Sequence, residues 1–313
     1  MKNIEILSVG PFYAPSYEAM ERDFTVHKLW QAKDQAVLIR EVSGRVRALQ
    51  TSGNHGADAK LMDALPKVEL IAHFGVGVDS VDLDAAKQRG LIVTNTPDVL
   101  NECVADLAMG LTVATLRRIS AGDRFVRAGS WLKGALPLAQ KVGGKTMGIL
   151  GYGRIGKAIA KRAEAFGMRI VYHGRKPQAG VGHKYYASLT EMARDCDVLM
   201  VICPGGAATH HIVNAEVLKA LGPKGTLINV ARGSVVEEQA LVKALADGTL
   251  GAAGLDVFEA EPKVPEALFA MDQVVLQPHV GSATHETRKA MGDLTVDNLR
   301  AHFAGKPVLT PVG

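Results

Sequence analysis

The sequence predicts an α/β protein made of two doubly wound parallel sheets. Three observations carry that expectation. Short apolar, β-branched runs alternate with amphipathic stretches along most of the 313 residues, as strand–helix–strand crossovers require. A glycine cluster of the kind that joins a strand to a helix, "GYGRIG", stands near the middle of the chain, so a full α/β unit precedes it. The composition, 47% hydrophobic and 22% charged, is that of an ordinary globular chain long enough for two cores.

Taken in order, the amino-terminal "MKNIEILSVG" reads as the first strand. Its apolar part is too short for a leader peptide and carries Glu5. "VRALQTS", "VELIAHF" and "LIVTNT" follow as strands, with the amphipathic "DAKLMDALP" and "DLDAAKQRG" between them. Next comes one long helical segment, "NECVADLAMGLTVATLRRISAGDRFVRAG", whose apolar run Leu107 to Leu116 is too short to span a bilayer. A second series of strands, "TMGILG", "RIVYHG", "DVLMVICP", "TLINVA", "GAAGLDVF" and "QVVLQPH", is interleaved with "GKAIAKRAEAFG" and "EEQALVKALADG". Near the end, "HETRKAMGDLTVDNLRAHFAGKP" sets Met291, Leu294, Leu299 and Phe303 at roughly helical spacing. This helix is expected to return and pack on the first domain. No fixed-period repeat interrupts the pattern.

Several function classes are disfavoured. The net charge of +4 is spread along the chain rather than gathered into blocks, which gives nucleic-acid binding little support. No membrane partner is expected. Cys103, Cys196 and Cys203 show neither CxxC nor metal-ligand spacing, so they read as reduced thiols of a cytoplasmic protein that holds no metal.

The glycine cluster is where chemistry first becomes legible. Gly151, Gly153 and Gly156 have G-x-G-x-x-G spacing, preceded by an apolar strand and followed by a helix former and a second strand. In that setting the first glycine permits the turn, the second lets backbone approach a pyrophosphate, and the third lets helix and strand pack closely. The helix start presents free N–H groups to the phosphates. A dinucleotide site of this kind ordinarily has an Asp or Glu about twenty residues on, to accept from ribose hydroxyls. Here "RIVYHGRKP" supplies His173, Gly174, Arg175 and Lys176, with no acid until Glu191. A carboxylate there would repel a ribose phosphate, whereas an Arg fork binds one. The expected cofactor is therefore NADP(H), preferred over NAD(H). A charge-assisted bond is worth roughly 1.5–3 kcal/mol, so one or two would shift preference by about tenfold to several hundredfold.

Three later strands end in reactive side chains. "TLINVARGS" delivers Arg232, "GLDVFEAEP" delivers Asp256 followed by Glu259 and Glu261, and "VVLQPHVGSAT" delivers His279. Parallel strands would bring all of them to the edge where the phosphate-binding turn lies. The set suits reduction of a 2-oxo acid. Arg can clamp a carboxylate and polarise the adjacent carbonyl; His can give a proton to the carbonyl oxygen; a carboxylate orients the imidazole. Spacing alone leaves open which acid does so.

With these stretches, and with "HFGVGVDSVDL", "VTNTPDVL", "GILGYGRIGKAIAKRAEAFGM" and "INVARGSVVEEQALVKAL", essentially the whole chain resembles the D-isomer-specific 2-hydroxyacid dehydrogenase family. Within it, the chain is most similar to glyoxylate/hydroxypyruvate and hydroxyphenylpyruvate reductases that use NADPH. The resemblance implies Arg232, Glu261 and His279 as the catalytic set. It implies substrate binding by the backbone N–H groups of Val76 and Gly77, with Arg232 and His279. Val104, Ala231 and Asp256 match positions near the nicotinamide. The full cofactor set expected is Val104, Gly151, Gly153, Arg154, Ile155, Gly156, Gly174, Arg175, Lys176, Cys203, Pro204, Val230, Ala231, Asp256, His279 and Gly281.

The family's architecture implies a Rossmann-type cofactor domain, residues 99–283, inserted in a flavodoxin-like substrate domain, residues 1–98 and 284–313. A homodimer through the cofactor domain is expected, with Trp131 either reaching a neighbouring subunit's site or lying in a surface loop. The expected reaction is NADPH-dependent reduction of glyoxylate or hydroxypyruvate. The alternatives are an NAD-dependent dehydrogenase of another substrate, such as phosphoglycerate or an aromatic 2-oxo acid, and a dinucleotide-sensing co-repressor on the same fold.

Overall fold

A computed structural model describes residues 1–312. They form two compact units, one made of Met1–Leu100 with the segment from Ser282 onward, the other of Asn101–Gly281.

The first unit holds five parallel strands, β1 (Glu5–Ser8), β2 (Thr25–Lys28), β3 (Val46–Ser52), β4 (Leu70–Phe74) and β5 (Ile92–Thr94), in the order β2-β1-β3-β4-β5. That is the flavodoxin-like order. β4 is buried along its whole length, which explains its unbroken apolar run. Helix α1 (Ala14–Asp23) opens with a proline in its first turn, where the missing N–H costs nothing. Helices α2 (Gln35–Val42), α3 (Ala59–Asp63) and α4 (Leu83–Gln88) start at Asp34, Asp58 and Asp82, whose carboxylates accept from Val37, Leu61 and Ala85 N–H. The carboxy-terminal helix, His285–Phe303, packs on α1 and β4. Ser16 Oγ donates to Asp293 Oδ1 at 2.7 Å, and a Cβ on Gly292 would collide with the Ser16 side chain. Glycine is what lets the two helices approach so closely.

The second unit begins with α5 (Asn101–Leu116) and α6 (Ile119–Arg127). The segment read as one long helix is thus two. Arg118 has φ 54°, and its N–H bonds Thr115 O three residues back, so the chain changes direction there. Then follow β6 (Thr146–Leu150), α7 (Arg154–Ala165), β7 (Arg169–His173), β8 (Lys184–Tyr186), α8 (Leu189–Asp195), β9 (Val198–Val201), α9 (Ala215–Leu221), β10 (Thr226–Asn229), α10 (Glu238–Ala246), β11 (Ala252–Leu255) and β12 (Val274–Leu276). All seven strands are parallel, in the order β12-β11-β10-β9-β6-β7-β8. The direction of winding reverses between β6 and β9, the switch point of a Rossmann sheet, where ligands bind beyond the strand carboxyl ends. Among the described residues, no helix is long and apolar enough to cross a membrane.

Candidate active site

At the switch point, β6 runs into the glycine turn. Gly151 has φ 101°, a conformation that L side chains rarely adopt. A Cβ on it would strike the backbone of Ile202 and Cys203 as the chain leaves β9, and a Cβ on Gly156 would strike Gly151 O. Gly153 differs. A Cβ there would meet no protein atom within 4 Å, so the fold itself does not require glycine at that position. Gly153 is also the N-cap of α7 and makes no side-chain cap bond. A helix start facing open space, with nothing beyond Cα in the way, fits a pyrophosphate group. Arg154 and Ile155 form the first turn of α7.

Beyond β7, the turn that lacks an acid is held in place by polar braces. His173 Nδ1 lies 2.8 Å from Tyr186 O. Tyr185 donates to Gly174 O at 3.2 Å, Gln178 N–H donates to Tyr172 Oη at 2.9 Å, and Gln178 Nε2 donates to Tyr152 O at 2.6 Å. Gln178 thereby ties this turn to the glycine turn. Arg175 and Lys176 are exposed between these anchors. Among the described residues, neither makes an ion pair. The space at Gly174, like that at Gly153, is open.

The strand ends assemble a second group. Arg232 follows β10, and Asn229 shapes its turn by accepting from Ala231 N–H at 3.0 Å and donating to Arg232 O at 3.0 Å. Gly233 lies against Phe258 and Glu259 so closely that a Cβ would overlap their backbone. This presses the Arg232 turn onto the loop after β11. On that loop Glu261 Oε1 accepts from Phe258 N–H at 3.0 Å, and Oε2 lies 2.7 Å from His279 Nδ1. Burial raises the Glu261 pKa, but the bonds from His279 and Phe258 and the nearby Arg232 charge outweigh it and hold the carboxyl below its ordinary range. An ionised carboxylate can only accept, so Nδ1 carries the proton. Of the two glutamates that spacing left open, Glu261 is the one bonded to His279; Glu259 meets His211 at 2.7 Å.

Asp256, at the end of β11, is buried. Its carboxylate accepts from Val280 N–H at 2.7 Å and Gly281 N–H at 2.9 Å, while its carbonyl accepts from His279 N–H at 2.8 Å. Burial pushes its pKa up, opposed by those two donors and by His279. Asp256 thus grips the backbone on both sides of the His279 ring. Val104 lies beside the Cα of Gly281, which joins α5 to this group. Cys203, Val230 and Ala231 are buried at the ends of β9 and β10, and Pro204 is exposed.

Val76 and Gly77 belong to the first unit, half-exposed in the loop after β4. Asn95 Nδ2 donates to Val76 O at 2.8 Å. Among the described residues, no acceptor is found for the N–H groups of Val76 or Gly77. Trp131 sits in a short turn after α6, 70% exposed, with Leu132 and Leu138 more exposed still. Asn229, Gly233 and Gln178 were absent from the expected residues. The glycine directly after Arg232 in "NVARGS" was the available signal for the first two. Gln178 left none, because its partner lies 26 positions away.

Known proteins are similar to this chain over its whole length. A family model described as the NAD binding domain of D-isomer specific 2-hydroxyacid dehydrogenases matches residues 109–281. Glyoxylate/hydroxypyruvate reductase A of Arabidopsis thaliana is 49% identical over 312 residues, and hydroxyphenylpyruvate reductase of Plectranthus scutellarioides is 50% identical over 312 residues, each covering 100% of both chains. The crystal structure of an NADPH-dependent glyoxylate/hydroxypyruvate reductase from Sinorhizobium meliloti, in complex with NADP and malonate, is similar with a TM-score of 0.92 and 47% identity, over 99% of this chain and 97% of that one.

Proposed function

The chain belongs to the D-isomer specific 2-hydroxyacid dehydrogenase family, and from that premise we propose that it reduces a small 2-oxo acid, glyoxylate or hydroxypyruvate, to the 2-hydroxy acid at the expense of NADPH. The observation that carries the reading is the Glu261–His279 pair, 2.7 Å apart, which joins the segment after β12 to the loop after β11 that packs against the Arg232 turn. When bound, the reduced nicotinamide supplies a hydride to the substrate carbonyl carbon. Everything else falls to side chains and backbone of the chain.

His279 holds Nδ1–H against Glu261, which leaves Nε2 to deliver its proton to the carbonyl oxygen as negative charge develops there. Glu261 accepts from Nδ1–H and fixes the orientation of the ring. Arg232 binds the substrate carboxylate with its fork and draws electron density from the adjacent carbonyl. The N–H groups of Val76 and Gly77, for which no acceptor is found among the described residues, are suited to binding substrate. The Gly151–Gly156 turn with Arg154 and Ile155 would hold the pyrophosphate. Arg175 and Lys176, next to Gly174, would hold the ribose phosphate. Val104, Cys203, Pro204, Val230, Ala231, Asp256 and Gly281 would line the rest of the cofactor site, with Asp256 also fixing the His279 backbone.

The exposed apolar side chains Trp131, Leu132 and Leu138 suit a subunit contact and support a homodimer through the second unit; sedimentation of a single monomeric species at micromolar concentration would contradict it. An aromatic 2-oxo acid is the second reading for substrate, favoured by the 50% identity to the hydroxyphenylpyruvate reductase.

Initial rates with NADPH and NADH across glyoxylate, hydroxypyruvate, pyruvate and hydroxyphenylpyruvate test the proposal. Higher kcat/KM with NADPH and with the first two acids is expected. Equal rates with both cofactors would remove the NADPH assignment. Absence of turnover with every acid would favour a sensing role on this fold.

A further inference from the structure

Outside the candidate active site, the second unit gathers three side chains of types that can ligate a metal. One ligand atom from each of His210, His211 and Glu259 lies within 4.8 Å of the other two. Two features bring them together. His211 has φ 51°, held by its N–H bond to Ser234 O at 2.8 Å. Consecutive side chains in extended backbone point to opposite faces. Here the left-handed residue turns both imidazoles the same way, and the rings stack with centroids 3.9 Å apart. Glu259 arrives from the far side of the cluster, 48 positions further along the chain. Its own N–H donates to Glu238 Oε2 at 3.1 Å, so the loop is anchored independently of the histidines.

We propose that His210, His211 and Glu259 form a binding site for a divalent transition metal of the zinc class. Two imidazoles and one carboxylate are the donor set that selects Zn²⁺, Cu²⁺ or Ni²⁺ over Mg²⁺ or Ca²⁺, which prefer oxygen ligands alone. The dimensions agree. Ligand atoms that share one Zn²⁺ at about 2 Å each lie at most about 4 Å apart, and no separation in this trio exceeds 4.8 Å. Each of the three side chains is partly exposed, so solvent can supply the remaining ligand and the ion has an entry path. The pair already formed between His211 Nε2 and Glu259 would open to admit the ion. A metal held there fastens the segment after β9 to the loop that carries Glu261. Spacing rules could not find the site, because two adjacent histidines and a distant glutamate match no ligand motif.

The test is titration of the whole protein with Zn²⁺ in competition with a chromophoric chelator, followed by Co²⁺, whose visible absorption reports a protein-bound ion. One Zn²⁺ per chain is expected, with Mg²⁺ failing to compete. Loss of even an outer partner commonly weakens a metal site by about 10–100-fold, so Glu259→Gln and His211→Ala should each weaken binding at least tenfold and abolish the Co²⁺ band. His279→Ala should do neither. Circular dichroism verifies that each variant is folded. Should His211→Ala fail to fold, His210→Ala, whose ring is exposed, carries the same expectation. Unchanged affinity in Glu259→Gln, or loss of the ion in His279→Ala instead, would overturn the proposal.

Discussion

His279 lies in the left-handed region at φ 53°, where a residue with a side chain is uncommon and is held only by its surroundings. Those surroundings are Asp256, which receives N–H bonds from Val280 and Gly281, and Glu261, which receives the ring. If the imidazole is the proton donor, His279→Ala should lower kcat by ~10²–10⁴ while NADPH affinity, read by fluorescence titration, stays near wild type. Near-normal turnover would end that assignment. The Glu261 partner tolerates acid. Its carboxyl titrates below the ordinary value of 4.5, so the stability it adds is present above that value. It is lost only as pH falls through the lower folded one.

At the level of elements, the turn after β7 carries the proposed cofactor preference, and it is braced by the hydroxyls of Tyr172 and Tyr185 and by Gln178. Arg175→Ala is expected to raise KM for NADPH by about tenfold or more with little change for NADH. Gln178→Ala should move the same ratio in the same direction, through loss of the tie to Tyr152 O, and leave saturated kcat unchanged. Equal effects on both cofactors would contradict the phosphate-binding role. Much at this scale was legible beforehand. β6, β4 and β10 are buried along their lengths and read as apolar runs. The edge strands β2 and β8 were not evident, because "TVHK" and "KYY" are short and only partly buried, and no second buried face imposes an apolar pattern. The break at Arg118 was also hidden, since a left-handed arginine between two helical segments has no signature in periodicity. Which glutamate meets His279 depended on how the loop after β11 folds back, and spacing does not contain that information.

For the molecule as a whole, burial sets how it responds to alkali. Desolvation raises the Cys196 thiol to about 12 and Cys203 to about 11, from an ordinary value of 9.0. The unfolded chain therefore loses these protons first, and stability is expected to fall as pH rises past 9.0. The same burial keeps both thiols neutral near pH 8. Iodoacetamide should label neither of them until denaturant is added; stoichiometric labelling of either in the native protein would contradict that environment. Cys103, which is less buried, is the one thiol expected to react first.

The overlap that a side chain on Gly233 would create with Phe258 and Glu259 has an evolutionary consequence. The arginine and the acid–imidazole couple cannot drift apart one at a time, since any added bulk at their seam displaces both. That seam is therefore inherited as a single piece, and the changes left open to it are exchanges of side chains elsewhere.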